Sequence, residues 1–80
     1  MTEERVYEHL TQIFSDVFFR DDIVLKPELT AANVTGWDSM KQIDIILSVE
    51  ERFSVKLTSR EMDTLRSVGD FVELIMRKAA

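Results

Sequence analysis

Apolar residues return every three or four positions through the first part of the chain: Val6, Leu10, Ile13 and Val17, with Tyr7, Phe14 and Phe18 beside them. That spacing predicts an amphipathic helix. Thr2 is placed to cap it, and Glu3 and Glu4 suit the positive end of a helix dipole. The pattern carries to about Phe19. It then lapses over residues 20–38, R-D-D-I-V-L-K-P-E-L-T-A-A-N-V-T-G-W-D, where Pro27 and Gly36 interrupt any period. Leu25, Leu29 and Val34 are the residues expected to tuck this long connection inward. A loop of such length in a small domain is more often functional than idle.

Helical periodicity resumes at Ser39 and holds to Phe53. At about 100° per residue its apolar positions fall into two groups. Ile45, Ile46, Val49 and Phe53 make one stripe, with Gln42 near its start. Met40, Ile43 and Leu47 make another, well over a quarter-turn away, edged by Asp44 and Glu51 on one side and Glu50 on the other. Either both stripes are buried in the centre of a bundle, or the second is a docking face ringed by carboxylates.

After a short S-V-K-L link, Thr58 and Glu61 form a T-x-x-E capping box for a brief helix through Leu65. Ser67 and Asp70 repeat the device as S-x-x-D before a last helix bearing Val68, Phe71, Val72 and Ile75. The fold expected is all-α: a small antiparallel four-helix bundle with a short third helix and a long loop between helices one and two.

Composition narrows the function. Eighty residues make a single domain, 1–80, near the lower limit for a self-sufficient core. A hydrophobic content of 45% is too high for a disordered tail. The formal charge of −5 disfavours nucleic acid and favours a basic protein partner. No apolar run reaches the ~20 residues of a membrane span, and T-E-E-R lacks the character of a signal peptide, so a cytoplasmic address is expected. The absence of cysteine removes disulfides, thiolate metal sites and a thiol nucleophile. Asp21 and Asp22 lack the alternating oxygen ligands, central glycine and closing glutamate of a calcium loop, and read as solvated charge. His9, off the first helix's stripe, reads as an ordinary exposed histidine, since a metal site would need companions.

Ser39 is the residue that composition does not explain. It stands in V-T-G-W-D-S-M, where loop becomes helix, and is either a cap or a hydroxyl held out for modification. One histidine and no cysteine cannot build a nucleophile–base–orienter set around it, and Asp38 alone is a poor base for an alcohol. Ser39 is therefore expected to be a substrate and not a catalyst. A helix start also favours a phosphate ester, by about 0.3–1 kcal/mol.

With G-W-D-S-M at 36–40, K-Q-I-D-I-I-L-S-V-E-E-R-F after it and S-V-G-D-F opening the last helix, the chain resembles the acyl carrier proteins over essentially its whole length. The resemblance implies that Ser39 carries 4′-phosphopantetheine through a phosphodiester, the arm's thiol supplying the sulfur that the chain lacks. It implies loading from coenzyme A by a magnesium-dependent phosphopantetheinyl transferase, and partners of the acyl or adenylating ligase and synthase classes. Asp38 matches the family's aspartate, read as a cap or as a partner contact. Trp37 either shields the root of the arm or fills the core. Met40, Ile43 and Leu47 with Asp44, Glu50 and Glu51 would form the partner-binding face of a monomer. Met40 stands where leucine is usual; methionine there also occurs in D-alanine carriers, so an aminoacyl cargo, of peptidyl or D-alanyl type, is the alternative, and a non-carrier helical adaptor is a third reading. Lys41 and Arg52 interrupt the acidity of the second helix, suggesting a specialised fatty-acid or polyketide-type pathway.

Overall fold

The first helix, α1, spans Glu3–Phe18, and its start is set by the Thr2 hydroxyl, which accepts the Arg5 N–H at 3.2 Å. The structure is a computed structural model and describes residues 2–79. Val6, Leu10, Ile13, Phe14 and Phe18 are buried along one side of α1, while Val17 is only half-buried. The helix stops one residue before the expected end. Phe19 turns into the left-handed region (φ 54°, ψ 40°), its N–H closing on the Ser15 carbonyl.

The long connection is held down at several points. Ile23 and Val34 are buried, and Leu25 and Leu29 pack on the core from half-buried positions. Ile23 was not among the residues expected inside. Asp22 is held by a two-pronged ion pair to Arg20, with both bonds at 2.9 Å. Ala31–Asn33 forms a 3₁₀ turn that periodicity could not show. There Asn33 Oδ1 accepts both the Thr30 N–H (3.0 Å) and the Thr30 hydroxyl (3.1 Å). Farther out, the carbonyls of Pro27 and Leu29 accept the N–H groups of Gly69 and Val68, both at 2.9 Å. A side chain at Gly69 would place its Cβ 3.0 Å from the Pro27 carbonyl oxygen, tighter than an ordinary contact, so glycine suits this close backbone approach.

Helix α2 covers Ser39–Phe53, as the periodicity predicts, and buries Ile45, Ile46, Val49 and Phe53. Helix α3 is shorter than expected, Ser59–Asp63, and Leu65 lies beyond it in the core. Helix α4, Val68–Lys78, buries Val68, Phe71, Val72, Leu74 and Ile75. Both capping boxes form, at Thr58/Glu61 and Ser67/Asp70. The result is a small helical bundle of these four helices. Its centre is α1, which packs against both α2 and α4. Of the two arrangements open to α2, burial of both stripes in the centre of the bundle is not the one found: the side of α2 bearing Met40, Ile43 and Leu47 is exposed.

Every buried residue among those described is apolar. Stability against acid therefore depends on surface groups, and Glu61 is the clearest of them. The Thr58 N–H bonded to its carboxylate, then the Lys78 ammonium at 2.9 Å, hold its pKa below the ordinary value of 4.5. A carboxylate depressed in the folded state contributes stability that is present above the unfolded value and lost as pH falls through the folded one. Melting temperature should therefore decline below about pH 4.5, and Glu61→Gln should flatten part of that decline. An unchanged pH profile in the variant would remove this pair from the account.

Candidate functional site at the start of the second helix

The turn into α2 is built from Gly36, Trp37 and Asp38. Gly36 takes a positive φ of 91°, open to glycine at no steric cost. Trp37 then points into the bundle, 9% exposed, its ring edge-on to Phe14 with centroids 5.2 Å apart. The indole N–H, which would be costly to bury alone, donates to Gln42 Oε1 at 2.7 Å. This also explains the half-buried glutamine inside the core stripe of α2. Of the two roles open to Trp37, filling the core is what the geometry shows, although one edge still borders the groove described below.

The cap of α2 is Asp38. Its Oδ1 accepts the Lys41 N–H at 2.9 Å, which meets one of the unpaired donors of the first turn. Ser39 is the first residue of the helix proper and is exposed. Its hydroxyl is thus spared the capping task that the sequence left open to it. A groove of about 800 Å³ lies beside it, lined by Ala31, Trp37, Ser39, Ile43, Met62 and Leu65 among others. Met62 and Leu65 were not read as site residues; their apolar i, i+3 pairing around a capped short helix was the available signal.

The second stripe of α2 is open to solvent. Met40 is 74% exposed, Ile43 56% and Leu47 57%. Asp44 and Glu51 are exposed beside it. Glu50 differs: it is half-buried and its carboxylate accepts the Leu57 N–H at 2.9 Å, so it also ties the link after α2 to the helix. The basic residues that interrupt the acidic run reach toward α1. Lys41 Nζ donates to the Val17 carbonyl at 3.0 Å, and Arg52 Nη1 contacts Gln12 Oε1 at 3.5 Å and His9 Nδ1 at 3.4 Å. His9 itself is half-buried, edge-on to Phe53 at 5.4 Å, and not the freely exposed histidine expected.

An exposed primary hydroxyl at a helix start fits a phosphodiester-linked group, since the free N–H groups of the first turn favour an anion. The family model for the phosphopantetheine attachment site matches residues 8–75. The solution structure of holo acyl carrier protein from Geobacter metallireducens superposes with a TM-score of 0.85 at 36% identity, over 90% of this chain and 83% of that one. The chain belongs to the acyl carrier protein family. Its prosthetic group is covalent 4′-phosphopantetheine. The acyl carrier protein of Thermosynechococcus vestitus is 28% identical to this carrier over all of its length and 99% of the relative's. A protein described as a mitochondrial acyl carrier from Schizosaccharomyces pombe is 31% identical over 72% of this chain, which spans only 52% of that relative. Family membership therefore carries no single cellular compartment. Among the described residues of this carrier, no helix is long and apolar enough to cross a membrane.

Proposed function

We propose that Ser39 is the attachment residue, and that the chain is a carrier and not a catalyst, holding acyl intermediates for a specialised fatty-acid or polyketide-type pathway. The observation that carries this reading is the division of labour at the α2 start: Asp38 caps, and the Ser39 hydroxyl stands exposed beside a groove. A structural adaptor would need no such spare hydroxyl. When attached, the group supplies a flexible arm whose thiol holds the acyl chain as a thioester. Ser39 Oγ would form the new bond to the phosphorus that bears the pantetheine arm of coenzyme A, as the pyrophosphate P–O bond breaks and adenosine 3′,5′-bisphosphate leaves. The serine proton would pass to a base on the transferase, because the chain's one histidine is packed on Phe53. The first-turn N–H groups would then face the phosphodiester. Intact mass after co-expression with a broad-specificity phosphopantetheinyl transferase tests the assignment: a gain of one phosphopantetheine on the intact chain, mapped to the peptide containing Ser39, is the expected result, and attachment at any other residue overturns it.

The exposed stripe is the proposed landing face for that transferase and for the ligases and synthases that act on the cargo. Met40, Ile43 and Leu47 would provide apolar contact, with Asp44, Glu51 and the outer part of Glu50 as the rim. The pathway assignment is supported by the cations, Lys41 and Arg52, set among the acids of α2. Leu47→Glu is expected to fold like the parent, because the side chain is already in water, and to be loaded slowly. Asp44→Lys or Glu51→Lys should slow loading most at low ionic strength and converge on the parent as salt screens the field. Initial loading rates across a salt series check this. A salt-independent parent rate, together with a Leu47→Glu chain that does not fold, would return the stripe to a purely structural role.

A further inference from the structure

A second groove of about 360 Å³ runs between α2, from Lys41 in its first turn, and the end of α1. Its walls include Phe19, Leu47 and the carboxylates of Asp16, Asp44 and Glu51. Two features set Phe19 apart from the other apolar residues at the end of α1. It is 88% exposed, the largest exposure among the large apolar side chains of the described residues. It also occupies the left-handed position that ends α1, where glycine or asparagine ordinarily sits and a bulky side chain is an outlier. A solvated aromatic in a disfavoured backbone region is disadvantageous on both counts to a chain that only has to fold. Backbone outliers of this kind collect at functional positions.

The surroundings indicate what meets it. Lys41 Nζ stands 5.7 Å from the Phe19 ring centroid and is bonded to the Val17 carbonyl, so its charge is directed at the end of α1. The remaining charged groups of the groove are the carboxylates of Asp16, Asp44 and Glu51. An apolar anchor among carboxylates is complementary to a partner surface with an apolar pocket flanked by lysine or arginine. Position selects among such partners. Ligases and synthases that land on the stripe of α2 can still reach the cargo through the arm, whereas the enzyme that loads the serine must bring its own catalytic groups to Ser39 Oγ. It has to rest on the first turns of α2, and Lys41 ties those turns to the end of α1 at 3.0 Å.

We propose that Phe19, with Leu47 and the carboxylates of Asp16, Asp44 and Glu51, forms a docking groove for the phosphopantetheinyl transferase that loads this carrier. The inference rests on Ser39 as the attachment residue and extends the landing face from α2 onto α1. The test is steady-state loading of the full chain by a broad-specificity transferase with coenzyme A, comparing parent, Phe19→Asn and Phe19→Leu. Asparagine tolerates the left-handed backbone but removes the anchor; leucine keeps an apolar anchor. Phe19→Asn is expected to melt at or above the parent temperature and to raise the KM for the carrier about tenfold with kcat unchanged, the size typical of an aromatic anchor. Phe19→Leu should recover most of that loss. A KM for Phe19→Asn equal to the parent's overturns the groove, as does an equal rise for both variants, which would assign Phe19 a conformational role. Failure of the Ser39 assignment is distinguishable, because the parent itself would then gain no mass at that residue.

Discussion

Replacing Ser39 with alanine is expected to abolish phosphopantetheine attachment and leave the domain as stable as before. The first half follows from the chemistry: without the hydroxyl there is no oxygen to bond phosphorus, and the neighbouring Asp38 offers only a carboxylate engaged with the Lys41 N–H. The second half follows from the cap. Had Ser39 been the cap, its loss would cost about 1 kcal/mol. It is instead the first helical residue, where alanine has an intrinsic propensity better than serine by a few tenths of a kcal/mol. The capping cost should appear one residue earlier, with Asp38→Ala lowering stability by about 1 kcal/mol, roughly 4–8 °C in Tm for a domain of this size. Intact mass and thermal melts of the two variants give a crossed pattern. A prosthetic group still present on Ser39→Ala would end the assignment, and a melt lowered by several degrees in that variant would show the hydroxyl supporting the fold.

The largest expected loss of stability lies at the bundle centre. Leu10 is wholly buried on α1, the helix that contacts both α2 and α4. Leu10→Ala removes apolar contact and leaves a cavity that packed neighbours can close only in part, at a cost of about 2–5 kcal/mol. Small domains have a total stability of roughly 5–15 kcal/mol, so much of the folded population is at stake. The informative control is Leu47→Ala on the exposed stripe, expected within about 0.5 kcal/mol of the parent. Urea unfolding midpoints would separate the two leucines clearly. Equal shifts would mean that the buried side of α1, or the open side of α2, has been misassigned.

The contrast between these leucines also shows where a sequence stops being informative. Periodicity found both stripes of α2 and both ends of the helix, because an acceptor side chain precedes its first turn and the apolar period is sustained. It could not say whether the second stripe was covered as well as the first, since that depends on whether α1 or α2 lies in the middle. The end of α1 was missed by one residue for a local reason. The usual sign of a helix stop is glycine or asparagine, and here a phenylalanine takes the left-handed turn. The 3₁₀ turn at Ala31–Asn33 is too short to have a period, and its mark is a single asparagine bonding back to Thr30. The division between Asp38 and Ser39 was undecidable in one dimension: both are capping residues, and only the backbone path shows which carboxyl or hydroxyl oxygen meets the Lys41 N–H.

Trp37 has a use beyond packing. It is the chain's one tryptophan, held by Phe14 on the core side and bordering the groove beside Ser39 on the other. Its fluorescence therefore comes from a single, geometrically defined position. The core shields the indole on one side, and the groove gives a dissolved quencher an approach on the other. Light emitted by the native protein is in effect a local reading of that groove's occupancy, available without attaching a dye and without altering any residue of the carrier.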